Sequence, residues 1–224
     1  MFQMNPMQEK NKSIWKDVHK KLGESVVKAL NAKGYKAYYF SSSEEAAKEI
    51  ANMIPSGSTV GIPGTCTVRE MGLMELLSDK GCTTHHHWDP NLSPEERKAK
   101  FKEELMSDYY ITSTNALTID GTFVNIDGTG NRIAGMAWGA NKLIFVVGIN
   151  KICPDLDSAL KRVHNVATPP NVTRLGGYDV PCAKLGYCVD CNSPSRVCRA
   201  TLILERAPFG RDIYVFLIGE NLGY

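Results

Sequence analysis

The chain has 224 residues, with 26 Lys plus Arg against 24 Asp plus Glu, a net charge of +2, 43% hydrophobic and 22% charged residues. That composition excludes a disordered polar chain and supports a sizeable core. No basic run could neutralise several phosphates at once, which argues against nucleic acid, and the longest apolar runs, 143–147 and 213–218, are too short to span a bilayer. The first residues, MFQMNPMQEKNKS, are polar and lack an apolar signal core, so a cytoplasmic location is expected.

Ile14, Val18, Leu22, Val26 and Leu30 recur at fourfold spacing and predict an amphipathic helix lying on a core, within an N-terminal helical segment 8–33 closed by Gly34. A short strand over 35–40 follows. Ser42 and Glu45 then form a capping-box start for a helix through Met53. A β-prone run over 59–62 stops at Pro63-Gly64, after which Thr65 or Thr67 caps one helix carrying Val68, Met71, Leu73, Met74 and Leu77. Ser93-Pro94-Glu95-Glu96 is a strong helix start, and that helix is expected to reach about Ser107.

A strand over 109–113 precedes two strands, 116–119 and 122–126, that flank Asp120-Gly121, the dipeptide of two-residue hairpin turns with positive φ at both central positions. Residues 142–148 are β-branched and almost wholly apolar, as in a central parallel strand. Leu156, Ala159, Leu160, Val163 and Val166 mark a further helix, expected to end at Pro169-Pro170. From Asn171 to about Arg199 no period is visible, and a loop that long is normally functional or tied down. Strands resume over 201–205 and 213–218. A single α/β domain over 1–224 with a Cys-rich loop over 171–200 is the organisation expected.

That loop reads Cys182-x5-Cys188-x2-Cys191-x6-Cys198, with Pro181, Gly186 and Pro194 turning the backbone so that four thiolates can converge. A reducing compartment disfavours disulfides, so a metal is the better reading. Four thiolates suit an iron-sulfur cluster or zinc; the close pair Cys188/Cys191 is common to both, and the wide outer spacings favour a four-iron cluster, with zinc as the alternative. Four ligands would close such a cluster for electron transfer, whereas three would leave one iron open as a Lewis acid. The spacing does not choose between these.

A second concentration of unusual residues runs from Asn115 to Arg132. Gly128 and Gly130 allow close backbone approach to a ligand; Asn115, Asn125 and Asn131 supply neutral donors and acceptors, beside Asp127. Arg132 is placed to fork onto a carboxylate or phosphate. Glycine turns are more often only turns, and the density of Asn is what favours an anion site here. Gly61-Ile-Pro-Gly64-Thr65 is a second candidate anion loop, but it lacks the lysine of a Walker loop and the third glycine of a dinucleotide fingerprint, so no nucleotide follows. Of His85, His86 and His87, the first and third share a face of a strand, read as its exposed polar end.

The segments TSTNALTIDGTFVNIDGTGNR, VVGINKI, ALKRVHNVATPPN, CAKLGYCVDCNSPSRVC and ENLGY together resemble the lactate-utilisation (LUD domain) family, in its cysteine-bearing form from anaerobic bacteria. The similarity covers about Lys10 to Tyr224. It implies an α/β fold akin to the ribose-phosphate isomerase and CoA-transferase-like superfamily, a sheet with helices on both faces. It also implies a tie to oxidation of lactate to pyruvate beside iron-sulfur partner subunits. The family's Asn-Ala-x-Thr, Asp-x-x-Gly-Asn-Arg and Gly-x-Asn-Lys motifs correspond to Asn115, Asp127, Asn131, Arg132, Asn150 and Lys151.

The expected function is an iron-sulfur protein acting on a small 2-hydroxy or 2-oxo acid. Arg132 and Lys151 would hold the carboxylate, Asn115 and Asn131 the neighbouring oxygen, with Asn125, Asp127, Gly128 and Gly130 lining the substrate site and Cys182, Cys188, Cys191 and Cys198 holding the metal. The alternative is a non-catalytic accessory or electron-transfer subunit with a structural metal. Candidate partners are a small anionic carboxylate, iron-sulfur electron-transfer subunits and a second copy of this chain. A CoA-transferase or sugar-phosphate isomerase is disfavoured, since no glutamate nucleophile in a recognisable setting can be named.

Overall fold

The structure, a computed structural model, describes residues 5–140 and 142–224. Its centre is β7 (Lys142–Gly148), buried at every position but the first. Ile144 and Val146 project to one side and Leu143, Phe145 and Val147 to the other, each set entering a different core. Period-two alternation in an all-apolar strand therefore builds two hydrophobic layers at once. Around β7 lies a six-stranded parallel sheet, in the order β1 (Lys36–Phe40), β10 (Asp212–Ile218), β7, β4 (Tyr109–Thr112), β2 (Thr59–Gly61), β3 (Thr83–His85).

One core holds Ile50 of α2 (Ser43–Met53), Val68 of α3 (Cys66–Glu70) and Leu73 and Leu77 of α4 (Leu73–Asp79) against Ile144 and Phe216. The other holds Val26 and Leu30 of α1 (Pro6–Ala32) against Phe145 and Leu217, with Met136 of α6 (Asn131–Ala137). α5 (Pro94–Met106) completes the helices flanking the sheet; both halves of its capping box, between Ser93 and Glu96, are present. A second, four-stranded sheet runs β8 (Ile152–Cys153), β5 (Ala116–Thr118), β6 (Phe123–Asp127), β9 (Ala200–Leu204). Ala159 of α7 (Leu156–Arg162) and Val163 cover it. Among the described residues no helix is long and apolar enough to cross a membrane.

Several sequence expectations need correction. Only the C-terminal half of α1 lies on the core: Val26 and Leu30 are buried, whereas Ile14 and Val18 are exposed. The helix expected from Thr65 onward is two, because Gly72 takes φ 64° between α3 and α4. In the hairpin only Gly121 has positive φ, and its N–H bonds to the Thr118 carbonyl, giving a three-residue loop with a left-handed last residue in place of a two-residue turn.

The helix after Asp155 does not stop at Pro169-Pro170. A π-turn over Val163–Ala167 widens the spiral, and the prolines open α8 (Thr168–Leu175), where their missing N–H groups leave no bond unmade. α9 (Pro181–Leu185) then orders part of the supposed loop, so of it 176–180 and 186–199 lack helix and strand.

Candidate functional site

In the sheet, chain order reverses between β4 and β2, and the loops leaving the C-terminal ends of β2, β4 and β7 meet there, as parallel sheets commonly build their sites. They enclose a cleft of about 510 Å³. A turn of 3-10 helix after β7, Ile149–Lys151, delivers Lys151 into it. Asn150 fixes that turn by accepting from the Leu222 N–H (3.1 Å) and donating to the Gly223 carbonyl (3.3 Å). Gly148 is obligatory, since a Cβ would lie 2.5 Å from Asn150 Oδ1.

Lys151 is 3% exposed, and its Nζ donates to Thr67 Oγ1 (2.8 Å) and Ser113 Oγ (2.9 Å). No carboxylate lies within ion-pair distance of it among the described residues. Burial, with the Arg162 and Arg132 charges behind it, pushes the ammonium down to about 7, which makes Nζ a proton carrier suited to neutral pH.

The hairpin strand β6 brings Asp127 to the opposite wall. Its Oδ2 accepts from the backbone N–H groups of Arg132 (3.0 Å) and Ile133 (3.2 Å), closing the start of α6, while Oδ1 accepts from Arg132 Nε (2.7 Å) and Nη2. Arg132 Nη2 also donates to the Ile126 carbonyl (2.7 Å) and reaches Asn115 Oδ1 at 3.4 Å. The fork expected to grip a substrate carboxylate thus grips a carboxylate of its own chain, because Asp127 is five residues away and already buried beside it. Arg132 still lines the cleft.

Asn115, Asp127, Gly128, Asn131, Arg132 and Lys151 line the same cleft. Gly130, at φ 89°, serves as the turn before α6 and is not among the lining residues; nor is Asn125, which is fully buried and accepts from the Asn115 N–H (3.0 Å). Asn115 spends Oδ1 on the Ile126 N–H (3.0 Å) and Arg132, and its Nδ2 has no partner among the described residues. β3 ends at His85, so His87 lies beyond the strand, and both turn to α5: His85 sits 3.1 Å from Glu103, and His87, which also lines the cleft, has Nδ1 2.6 Å from the buried Glu104. That pairing replaces the exposed strand end expected from sequence.

Sequence reading missed Thr67, Ser113 and Arg162. Thr67 and Ser113 are ordinary residues in any local window; only the sheet places them on one amine. Arg162 donates to the Asn115 carbonyl (2.5 Å) and the Asn150 carbonyl (3.1 Å), and its position in the apolar stripe of α7 was the available signal.

All seven cysteines are free. Cys182, Cys188, Cys191 and Cys198 line one small cavity of about 20 Å³ together with His164, Thr168 and Val197. His164 Nδ1 is 3.9 Å from Cys188 Sγ, which also accepts from the Asp190 N–H (3.3 Å). Arg196 holds the loop closed by donating to the Cys191 (2.6 Å) and Cys198 (2.8 Å) carbonyls and pairing with Asp190 (2.8 Å). Burial pushes the Cys182 and Cys198 thiols up, as expected of sulfur held away from water. Among the described residues no group of three or more His, Cys, Asp or Glu side chains is arranged to hold a single metal ion.

The LUD domain family matches residues 23–218 of this chain. No curated protein matches it. Among solved structures, it is similar to a DUF162 family protein from Deinococcus radiodurans, at 14% identity and TM-score 0.50, covering 89% of this chain and 98% of that one. A weaker likeness, TM-score 0.36 and 16% identity over 52% of this chain and 44% of the other, is to eIF2B beta from Chaetomium thermophilum. The first likeness supports the fold, a mostly parallel sheet flanked by helices, and nothing about chemistry.

Proposed function

This chain belongs to the LUD domain family, and on that premise we propose that it is an iron-sulfur protein acting on a small 2-hydroxy or 2-oxo acid such as lactate or pyruvate. The observation that carries the reading is that two unlike chambers share a wall: Thr168 and Val197 line both the cationic cleft and the cavity bounded by four thiols. Four thiols around one space are the donor set of a four-iron cluster. Cys182 sits on α9, but Cys188, Cys191 and Cys198 lie in 186–199, which carry no helix or strand, so those three thiols can spread around a body larger than the cavity without breaking a regular element. Zinc would instead need a tight tetrahedron of ligands.

When bound, such a cluster takes up or returns electrons. The chain's own residues bind and move protons. Lys151 Nζ, tuned toward neutrality by burial, takes the proton from the hydroxyl of a 2-hydroxy acid or, when protonated, delivers one to the carbonyl oxygen of a 2-oxo acid, with Thr67 and Ser113 fixing its position. The free Nδ2 of Asn115 and the cleft-facing side of Arg132 receive the carboxylate.

The test is anaerobic purification and reconstitution, followed by iron and sulfide analysis and visible absorption with and without lactate or pyruvate. Stoichiometric iron and sulfide, a spectrum perturbed by the acids, and loss of iron in Cys191→Ser are expected. A colourless protein with one zinc would make the chain an accessory subunit with a structural loop and would overturn the reading.

A further inference from the structure

The side chains lining the cleft include four permanent cations, Arg69, Arg97, Arg132 and Arg174, against one carboxylate, Asp127, which Arg132 already pairs. A lone carboxylate of a three-carbon acid leaves most of that charge uncompensated. It also leaves most of the 510 Å³ unfilled, a volume within the range of about 300–1,000 Å³ typical of larger ligands. The unpaired guanidinium groups come from three elements, Arg69 from α3 after β2, Arg97 from α5 and Arg174 from α8, and it is at Arg69 that orphaned donors gather.

Thr65, 6% exposed, has an unpartnered Oγ1 there, and Trp88 Nε1 is a buried N–H with no acceptor among the described residues. These donors belong to one neighbourhood: a Cβ built on Gly64 would lie 3.9 Å from Trp88 Nε1, and the Arg69 guanidinium sits 4.8 Å over the Trp88 ring. Arg69 and Arg97 have no carboxylate within 4.0 Å among the described residues. His86 stacks on Trp88 as well, at 4.7 Å, so the indole faces are taken while its N–H is spare. An aromatic ring shelved this way is poorly placed to stack a base. Orphaned donors beside unpaired guanidinium groups match a compact, doubly charged acceptor with three terminal oxygens.

We infer that the cleft takes a phosphate monoester of a small 2-hydroxy or 2-oxo acid, the phosphate held by Thr65, Arg69, Trp88 and Arg97 and the acid end at Asn115, Arg132 and Lys151. This rests on the acid-binding reading above and adds the second anionic group.

Calorimetric titration of the metal-reconstituted protein with 3-phosphoglycerate, glycerate, malate and inorganic phosphate tests it. 3-Phosphoglycerate should bind at least ten-fold more tightly than glycerate or malate. Arg69→Gln and Arg97→Gln, each first checked for an unchanged thermal transition, should each cut that advantage at least three-fold and leave glycerate affinity as it was. Should malate match 3-phosphoglycerate, the subsite reads charge alone and the phosphate assignment fails; it also fails if the advantage survives both substitutions. If inorganic phosphate binds as tightly as 3-phosphoglycerate and glycerate binds nowhere, the phosphate subsite stands and the hydroxy-acid reading falls.

Discussion

The Cys198 thiol donates to Thr168 Oγ1 at 3.6 Å, and that hydroxyl gives its own proton to the Val163 carbonyl at 2.8 Å. Thr168 is thereby a joint between the π-turn, the cysteine loop and the cleft. A ligating thiolate has no proton to give, so on ligation the Thr168 hydroxyl would turn its own proton from the Val163 carbonyl to the sulfur, and hydrogen bonds to cluster sulfurs help set reduction potential. Thr168→Val, nearly isosteric, should therefore retain full iron content after reconstitution yet show a more negative midpoint in a redox titration. An unchanged midpoint would separate Thr168 from the sulfur.

Lys151 makes stability depend on pH in a definite direction. Its folded value of about 7 lies below the ordinary lysine value of 10.5, so between those limits the unfolded chain holds a proton that the native chain has released. Stability from this group accordingly rises with pH across that window, and below about 7 the cost of burying the charge is fully present. Lys151→Met should flatten the rise, a difference on the order of a few kcal/mol between pH 6.5 and 9.5 in urea unfolding. Turnover should fall by at least roughly 100-fold, the lower bound for a lost proton carrier.

Asp127 ties the start of α6 to the Arg132 guanidinium. Asp127→Asn removes the charge opposite Arg132 and one acceptor oxygen from a set that receives four N–H groups. Breaking a buried pair by one partner costs about 3–5 kcal/mol. Differential scanning calorimetry should show the loss, and Arg132→Lys, which cannot fork, should lower the transition as well.

Gly61 has no space for a side chain, since a Cβ would meet the Glu104 carbonyl oxygen at 2.0 Å, where α5 crosses β2. Gly61→Ala must push that helix outward and disturb the His87 to Glu104 contact behind the cleft. A destabilisation of at least about 1–3 kcal/mol is expected from overpacking. Gly64→Ala is the control: its nearest neighbour would be 3.7 Å away, so the melting temperature should not move.

Local signals that act over a few residues were readable from sequence. The Ser93 capping box, the apolar run of β7 and the hairpin around Asp120-Gly121 all appear where the pattern puts them. Each depends on backbone preference or side-chain periodicity alone. The errors arose where a nonlocal partner decided the outcome. Pro169-Pro170 ends a helix in isolation, yet a π-turn braced by Thr168 lets the chain continue. Arg132 reads as a free fork until Asp127 folds back onto it.

By itself the amino-acid order determined the α/β alternation and the buried central strand, because these follow from spacing along the chain. Only the tertiary structure decided that Thr67 and Ser113, 46 positions apart, clamp Lys151, and that the thiol cavity backs onto the cleft. Parallel strands bring their C-terminal loops together whatever their distance in sequence, and desolvation at that meeting point gives a lysine its unusual acidity.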